Sequence, residues 1–220
     1  MIIAIDGPAA SGKSTTAKMV AKKLKMTYLD TGAMYRAVTL ALIRSNTDLD
    51  DYDSVCQIVD ELELDIYDQG SKTVVRLDGE DVSQAIRSMQ VTENASAVSA
   101  VKYVRKAMVE IQRNIGKKTN CVVEGRDIGT VVFPDAEFKI FMVADVKMRA
   151  ERRLKELHEM GENRSLQEVM TDLKRRDEKD STRSYSPLQK ADEALEIDTS
   201  MLTIDQQVEK IINLVRENKN

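Results

Sequence analysis

Gly7-Pro8-Ala9-Ala10-Ser11-Gly12-Lys13-Ser14 fits the spacing G-x-x-x-x-G-K-[ST] at every fixed position. An apolar run, residues 2–5 (IIAI), precedes it, and a stretch with helical spacing follows. Glycines at both ends let the backbone turn tightly and approach an anion. Amides of such a loop, and of the helix it opens, point at phosphate. In this pattern Lys13 reaches the β- and γ-phosphates, and the Ser14 hydroxyl can ligate Mg²⁺. The chemistry is nucleoside triphosphate binding; the loop does not decide what the triphosphate is used for.

Three other groups could meet a second ligand. Asp30-Thr31-Gly32-Ala33-Met34-Tyr35-Arg36 follows a short strand signal. Thr31 offers a hydroxyl and Arg36 a two-pronged anion clamp. The same residues also suit a capped surface helix with Tyr35 in the core. Glu124-Gly125-Arg126-Asp127 follows the run 121–123 (CVV). There Arg126 can bind phosphate, and Asp127 can accept from a base or sugar or orient Mg²⁺ through water. A turn with an exposed ion pair fits equally. Arg149, Arg152, Arg153, Arg164, Arg175, Arg176 and Arg183 form the densest basic cluster. The first three lie about one turn apart on one expected helix face. Intervening Glu151, Glu156, Glu162 and Asp177 leave a solvated, salt-bridged surface as the other reading. Two charged helices around Gly161 also suit a mobile lid that brings arginines onto transferring phosphates.

These groups need a scaffold. Helical spacing covers about 13–25, 33–44, 101–117, 147–160, 165–180 and 204–217. Apolar runs at 2–5, 27–29, 121–123, 138–143 and 194–197 read as strands. Their alternation predicts an open parallel sheet covered on both faces. In such a sheet, loops at the carboxyl ends of the strands share one crevice. Residues 62–67 and 73–78 alternate instead, with Gln69-Gly70-Ser71 between them and Asp78-Gly79 after them as turns. Short helices over about 82–88 and 91–100 complete a small inserted α+β piece, about residues 60–100.

Composition narrows the function class. The 220 residues suit one large domain or one domain with an insertion. Apolar residues at 42% are too many for disorder, and no run reaches the roughly 20 apolar residues of a membrane helix. The N-terminus has no basic leader and is not expected to be a signal peptide. Cys56 and Cys121 lack CxxC spacing and read as free, buried thiols in a reducing cytosol. With one histidine, His158, a His-rich metal site is excluded and a Ser-His-Asp triad disfavoured, and His158 reads as an exposed helix residue. Net charge −4, with six Tyr, three Phe and no Trp, disfavours a nucleic-acid-binding module.

GPAASGKST, LDTGAMYR, EGRDIGTVVFPDA, AERR and RRDEKDSTRSYSPL, in this order, resemble the bacterial cytidylate kinases over nearly the whole chain. The combination of LDTGAMYR with GRDIGTVVFPDA is far more specific than the phosphate loop alone. The resemblance implies an α/β P-loop kinase fold: a central parallel sheet flanked by helices, an inserted piece near 60–100 in the nucleoside-monophosphate-binding part, and a helical lid over about 149–183, all within one kinase domain spanning 1–220. It implies ATP- and Mg²⁺-dependent phosphorylation of CMP and dCMP by a cytoplasmic monomer, with no nucleic acid or membrane partner. ATP would lie along Gly7, Pro8, Ala9, Ala10, Ser11, Gly12, Lys13, Ser14 and Thr15. Thr31, Tyr35 and Arg36 would contact the CMP phosphate and ribose, and Arg105 and Arg126 its phosphate and cytosine end. Asp127, Asp180 and Arg176 would serve sugar or base. Arg183, with lid residues Arg149 and Arg153, would reach the phosphates beside Lys13. Glu124 departs from the Asp usual in the family before Gly-Arg-Asp; the carboxylate is kept with a longer reach, and no contact is assigned to it.

Overall fold

A computed structural model describes residues 1–68, 73–159 and 161–217. In chain order the elements are β1 (Ile2–Asp6), α1 (Lys13–Leu24), β2 (Thr27–Asp30), α2 (Thr31–Arg44), α3 (Tyr52–Glu61), β3 (Leu64–Asp68), β4 (Thr73–Leu77), β5 (Glu80–Asp81), α4 (Met89–Ala100), α5 (Lys102–Lys118), β6 (Cys121–Gly125), β7 (Phe138–Val143), α6 (Val146–Glu159), α7 (Leu166–Thr182), β8 (Leu195–Asp198) and α8 (Ile204–Glu217). They fall into two compact units, residues 1–26 with 121–220, and residues 27–120.

The first unit is built on parallel strands in the order β6-β1-β7-β8. Every residue of β6 (CVVEG) is buried, as a strand covered on both faces must be. Register aligns the carboxyl ends: Asp6 lies opposite Gly125 and Phe141, and Val143 opposite Asp198. The loops leaving β1, β6, β7 and β8 therefore emerge at one end of the sheet. Val208, Ile211, Ile212 and Val215 give α8 a buried stripe, and α8 packs against α1. Helices α6 and α7 pack together through Ala150, Leu157, Val169 and Leu173, with Ala9 of the phosphate loop in the same cluster. Ser165 and Glu168 open α7 with reciprocal side-chain-to-backbone bonds. Gly161 separates the pair in the left-handed conformation, φ 83°.

The second unit packs α2 against α4 and α3 against α5, and carries the antiparallel hairpin β3–β4 with β5 on its edge. Ala33, Ala37, Leu40 and Ala41 of α2 meet Val75, Leu77, Val82, Ile86 and Val91 in its core. Asp78 and Gly79 turn the chain with φ 51° and 81°, the chemistry their types predict. The turn expected at Gln69-Gly70-Ser71 lies outside the described residues.

Several local expectations are corrected. Helix α3 was not anticipated; Asp51 caps it, and Val55 and Val59 bury one face. The helix expected over 82–88 is a single tight turn, Ala85–Arg87, because Ser88 already caps α4. Helix α2 starts at Thr31, since the Asp30 side chain takes the Ala33 amide. Ile128–Val132 forms a wide helical turn, its Phe133 N–H reaching Ile128 O. Both thiols are free, but only Cys121 is buried; Cys56 is half-buried. His158 is exposed. No helix among the described residues is long and apolar enough to cross a membrane.

Candidate active site

In the first unit the loop from Gly7 to Gly12 enters α1. A Cβ at Gly7 would overlap the Met142 carbonyl oxygen, so only glycine lets the loop leave β1 here. Gly12 is the N-cap of α1 at φ 89°; no side chain caps it and no acid lies in the first turn. The opening of α1 thus keeps its positive end for an external anion. Lys13 is 7% exposed; its Nζ donates to Pro8 O at 3.2 Å and stands 3.9 Å from buried Glu124. Ser14 and Thr15 are exposed on the first turn.

The loop is braced by residues far along the chain. Arg149 Nη1 donates to Ala9 O at 3.2 Å, and the Thr199 hydroxyl to Ser11 O at 2.8 Å. The Thr16 hydroxyl donates to Gln207 Oε1 at 2.6 Å.

Arg126, Asp127, Asp180 and Arg183 are brought together. Arg126 Nε donates to Asp180 Oδ2 at 2.8 Å, and Arg183 Nη2 lies 3.9 Å from Asp127 Oδ1. The Arg126 ion pair is part-buried, with Asp180 buried, and is not the exposed turn pair of the alternative reading. Burial alone would raise the Asp180 carboxyl, but Arg126, Arg176 and Arg183 hold it below the usual range. Burial would likewise lower Arg126, yet Asp180, Glu124 and Asp177 raise it. Asp6 accepts the Ile128 and Gly129 amides, each at 2.8 Å, and so fixes the backbone just after Arg126-Asp127.

The three arginines expected on one face of α6 part company. Arg149 is buried and pairs with Asp177 at 2.7 Å; Arg152 turns to Thr199; Arg153 pairs outward with Glu156 at 2.9 Å. Positions 149, 152 and 153 are separated by three and one residues, so 152 and 153 diverge by about 100° around the helix. Arg164 and Arg175 both pair with Asp172, at 2.7 and 3.3 Å.

In the second unit Asp30 holds the start of α2 from both oxygens, Oδ1 to Ala33 N at 2.8 Å and Oδ2 to Arg36 Nη2 at 3.3 Å. Thr31 and Tyr35 are buried. Arg105, 1% exposed on α5, stacks its guanidinium 5.2 Å from the Tyr35 ring centre and donates to Ser99 O at 3.0 Å. Tyr35 and Arg105 thus meet, while Thr31 and Arg36 share helix α2 with Tyr35. Tyr103 instead donates to Asp60 and meets Tyr52 edge-on, tying α5 to α3.

Spacing alone did not single out Asp6, Asp177, Thr199 or Gln207. Asp6 carried a signal, a carboxylate ending an apolar strand beside the glycine loop. Thr199 and Gln207 carried none; their partners lie 188 and 191 residues away.

Residues 3–217 match the family model described as Cytidylate kinase. The chain is 47% identical to cytidylate kinase of Clostridioides difficile over 98% of both chains. It is 48% identical to that of Halalkalibacterium halodurans over 99% of this chain and 98% of the other. Two solved structures share its fold: an uncharacterised Eubacterium ventriosum protein (TM-score 0.55, 13% identity, 99% and 98% covered) and a Thermus thermophilus protein (TM-score 0.52, 16% identity, 100% and 98% covered). At such identities they speak for the fold alone. A parallel-sheet α/β unit with a phosphate loop, and family matches end to end, show that the chain belongs to the cytidylate kinase family.

Proposed function

We propose that this kinase transfers the γ-phosphoryl group of ATP to CMP or dCMP, giving ADP and CDP or dCDP. One observation carries the reading: the phosphate loop, with its uncapped helix and buried Lys13, leaves the same end of the sheet as the part-buried Arg126. An anion-binding loop beside a second cationic group suits transfer between two anions better than hydrolysis. The names of the full-length relatives favour CMP as the acceptor.

In this reading ATP lies along Gly7–Thr15. Within the first unit Arg126, Asp127, Arg176, Asp180 and Arg183 are assigned to CMP; the assignment of Thr31, Tyr35, Arg36 and Arg105 to CMP rests on the family resemblance alone. A CMP phosphate oxygen attacks the γ-phosphorus, and the bond to the β,γ-bridging oxygen breaks with its electrons leaving on ADP. That nucleophile is already anionic near neutral pH, so no protein base is required. The work of the chain is alignment and charge neutralisation, by Lys13, Arg126 and Arg183 and, as α6 and α7 close as a lid, by Arg149 and Arg153. Arg153 must leave Glu156 to do so.

The donor set fits Mg²⁺. Ser14 presents a hard hydroxyl oxygen at the exposed start of α1. That matches an ion that binds through few protein oxygens and the substrate phosphates. When bound, Mg²⁺ would neutralise charge between the β- and γ-phosphates. The same reading has the enzyme work in the cytoplasm as a monomer on small nucleotides, without nucleic acid or membrane partners.

Incubating the full chain with ATP, Mg²⁺ and CMP and separating the products tests this. Equal amounts of ADP and CDP are expected. ADP without CDP would make the chain a hydrolase and overturn the reading.

A further inference from the structure

We infer that Thr199 is a positioning residue that aims the Gly12 amide of the phosphate loop at the bound triphosphate. Thr199 follows β8 and is fully buried. Its hydroxyl lies 2.8 Å from Ser11 O and 3.1 Å from Val143 O. A hydroxyl has one proton to give. Ser11 O is the nearer acceptor, and Val143 O already takes the Thr199 amide at 2.8 Å, so the hydroxyl is assigned as donor to Ser11 O. Arg152 completes the geometry, since its Nη1 donates to the same hydroxyl at 3.2 Å and its Nη2 to the Thr199 carbonyl. A threonine held at both ends and by a guanidinium has one orientation.

The consequence is set by the peptide bond. In a planar trans peptide the C=O and N–H point in opposite directions. With Ser11 O held toward Thr199, the Gly12 N–H points away from Thr199, to the side where a phosphate would sit. Without that anchor the Ser11–Gly12 peptide is free to rotate, because Gly12 tolerates many backbone angles. Gln207 closes the remaining space: its Nε2 donates to Leu202 O, and its Oε1 stands 3.1 Å from where a Gly12 Cβ would be. The loop is thus set before ATP arrives, and an amide already aimed at its anion need not reorganise.

This inference rests on ATP occupying the loop. The test compares the full chain with Thr199→Val, which keeps the shape and loses the hydroxyl, and Thr199→Ser, which restores it. KM and calorimetric Kd for ATP are expected to rise about tenfold in Thr199→Val, as for one lost hydrogen bond, with KM for CMP unchanged. Thr199→Ser is expected to stay within about twofold of the native chain. General loosening of the fold would instead raise both KM values. Should Thr199→Val fail to fold, Thr199→Ala is expected to show the same selective loss. Unchanged ATP affinity in a folded Val or Ala variant, or an equal rise for CMP, overturns the role of Thr199 while leaving the kinase reading intact. No ATP binding by the native chain overturns both.

Discussion

Arg126 and Asp180 form a part-buried ion pair at 2.8 Å, joining the loop after β6 to the end of α7. The carboxylate is held below its usual range and the guanidinium above, so each stays in its charged form. Arg183 and Asp127 repeat the arrangement at 3.9 Å. Internal carboxylates thus pair with Arg126 and Arg183 of this unit.

If Arg126 grips the acceptor, Arg126→Ala weakens CMP binding by roughly 2–5 kcal/mol, the cost of truncating one partner of a buried charge pair. ATP affinity holds. Calorimetry with each nucleotide on the folded variant checks this; equal weakening of both would move Arg126 out of the acceptor site.

Lys13→Ala is expected to lower turnover on the order of 10³-fold, the scale of other charged phosphoryl clamps. It also leaves buried Glu124 without the ammonium 3.9 Å away, so folding must be verified by circular dichroism. Near-native steady-state turnover in a folded variant would contradict the assignment.

Burial pushes the Asp6 carboxyl from 3.8 up to about 7, against the Ile128 and Gly129 amides that favour its charge. A folded pKa above the unfolded one means that folding favours the proton. The stabilisation is fully present below the unfolded value and is lost as pH rises through about 7. Between about pH 5.5 and 8.5 the native chain is expected to lose a few kcal/mol more than Asp6→Asn. Melting curves of the two across that range decide it; parallel profiles would show that Asp6 does not titrate there.

Burial also pushes the Cys121 thiol up to about 11, leaving little thiolate at neutral pH. A thiol reagent is therefore expected to label Cys56 promptly in the native chain and both cysteines in denaturant. Prompt native labelling of Cys121 would contradict its burial.

What the sequence made legible follows from locality. β7 and α8 coincide with their expected ranges because each buries one continuous pattern of its own. The phosphate loop is equally plain, since its constraints lie within eight consecutive residues. Helix α3 does carry a local signal, Val55, Ile58, Val59 and Leu62 at helical spacing, but it is only ten residues long and lies outside the chemistry-bearing motifs. Within the site, Lys13 and Arg126 stand in contiguous motifs. Thr199 and Gln207 act through one hydroxyl and one amide on partners nearly the whole chain away, a relation that no local spacing encodes. Arg152 and Arg153 differ by one position, and only the packing of α6 decides that one meets Thr199 and the other Glu156.

The most direct measurement is ADP release by the full chain with ATP and Mg²⁺ over a panel of CMP, dCMP, UMP, AMP and shikimate. Highest kcat/KM with CMP or dCMP, and little ADP without an acceptor, is the expected result. Preference for AMP or shikimate, or ADP formed at the same rate with no acceptor, would contradict it.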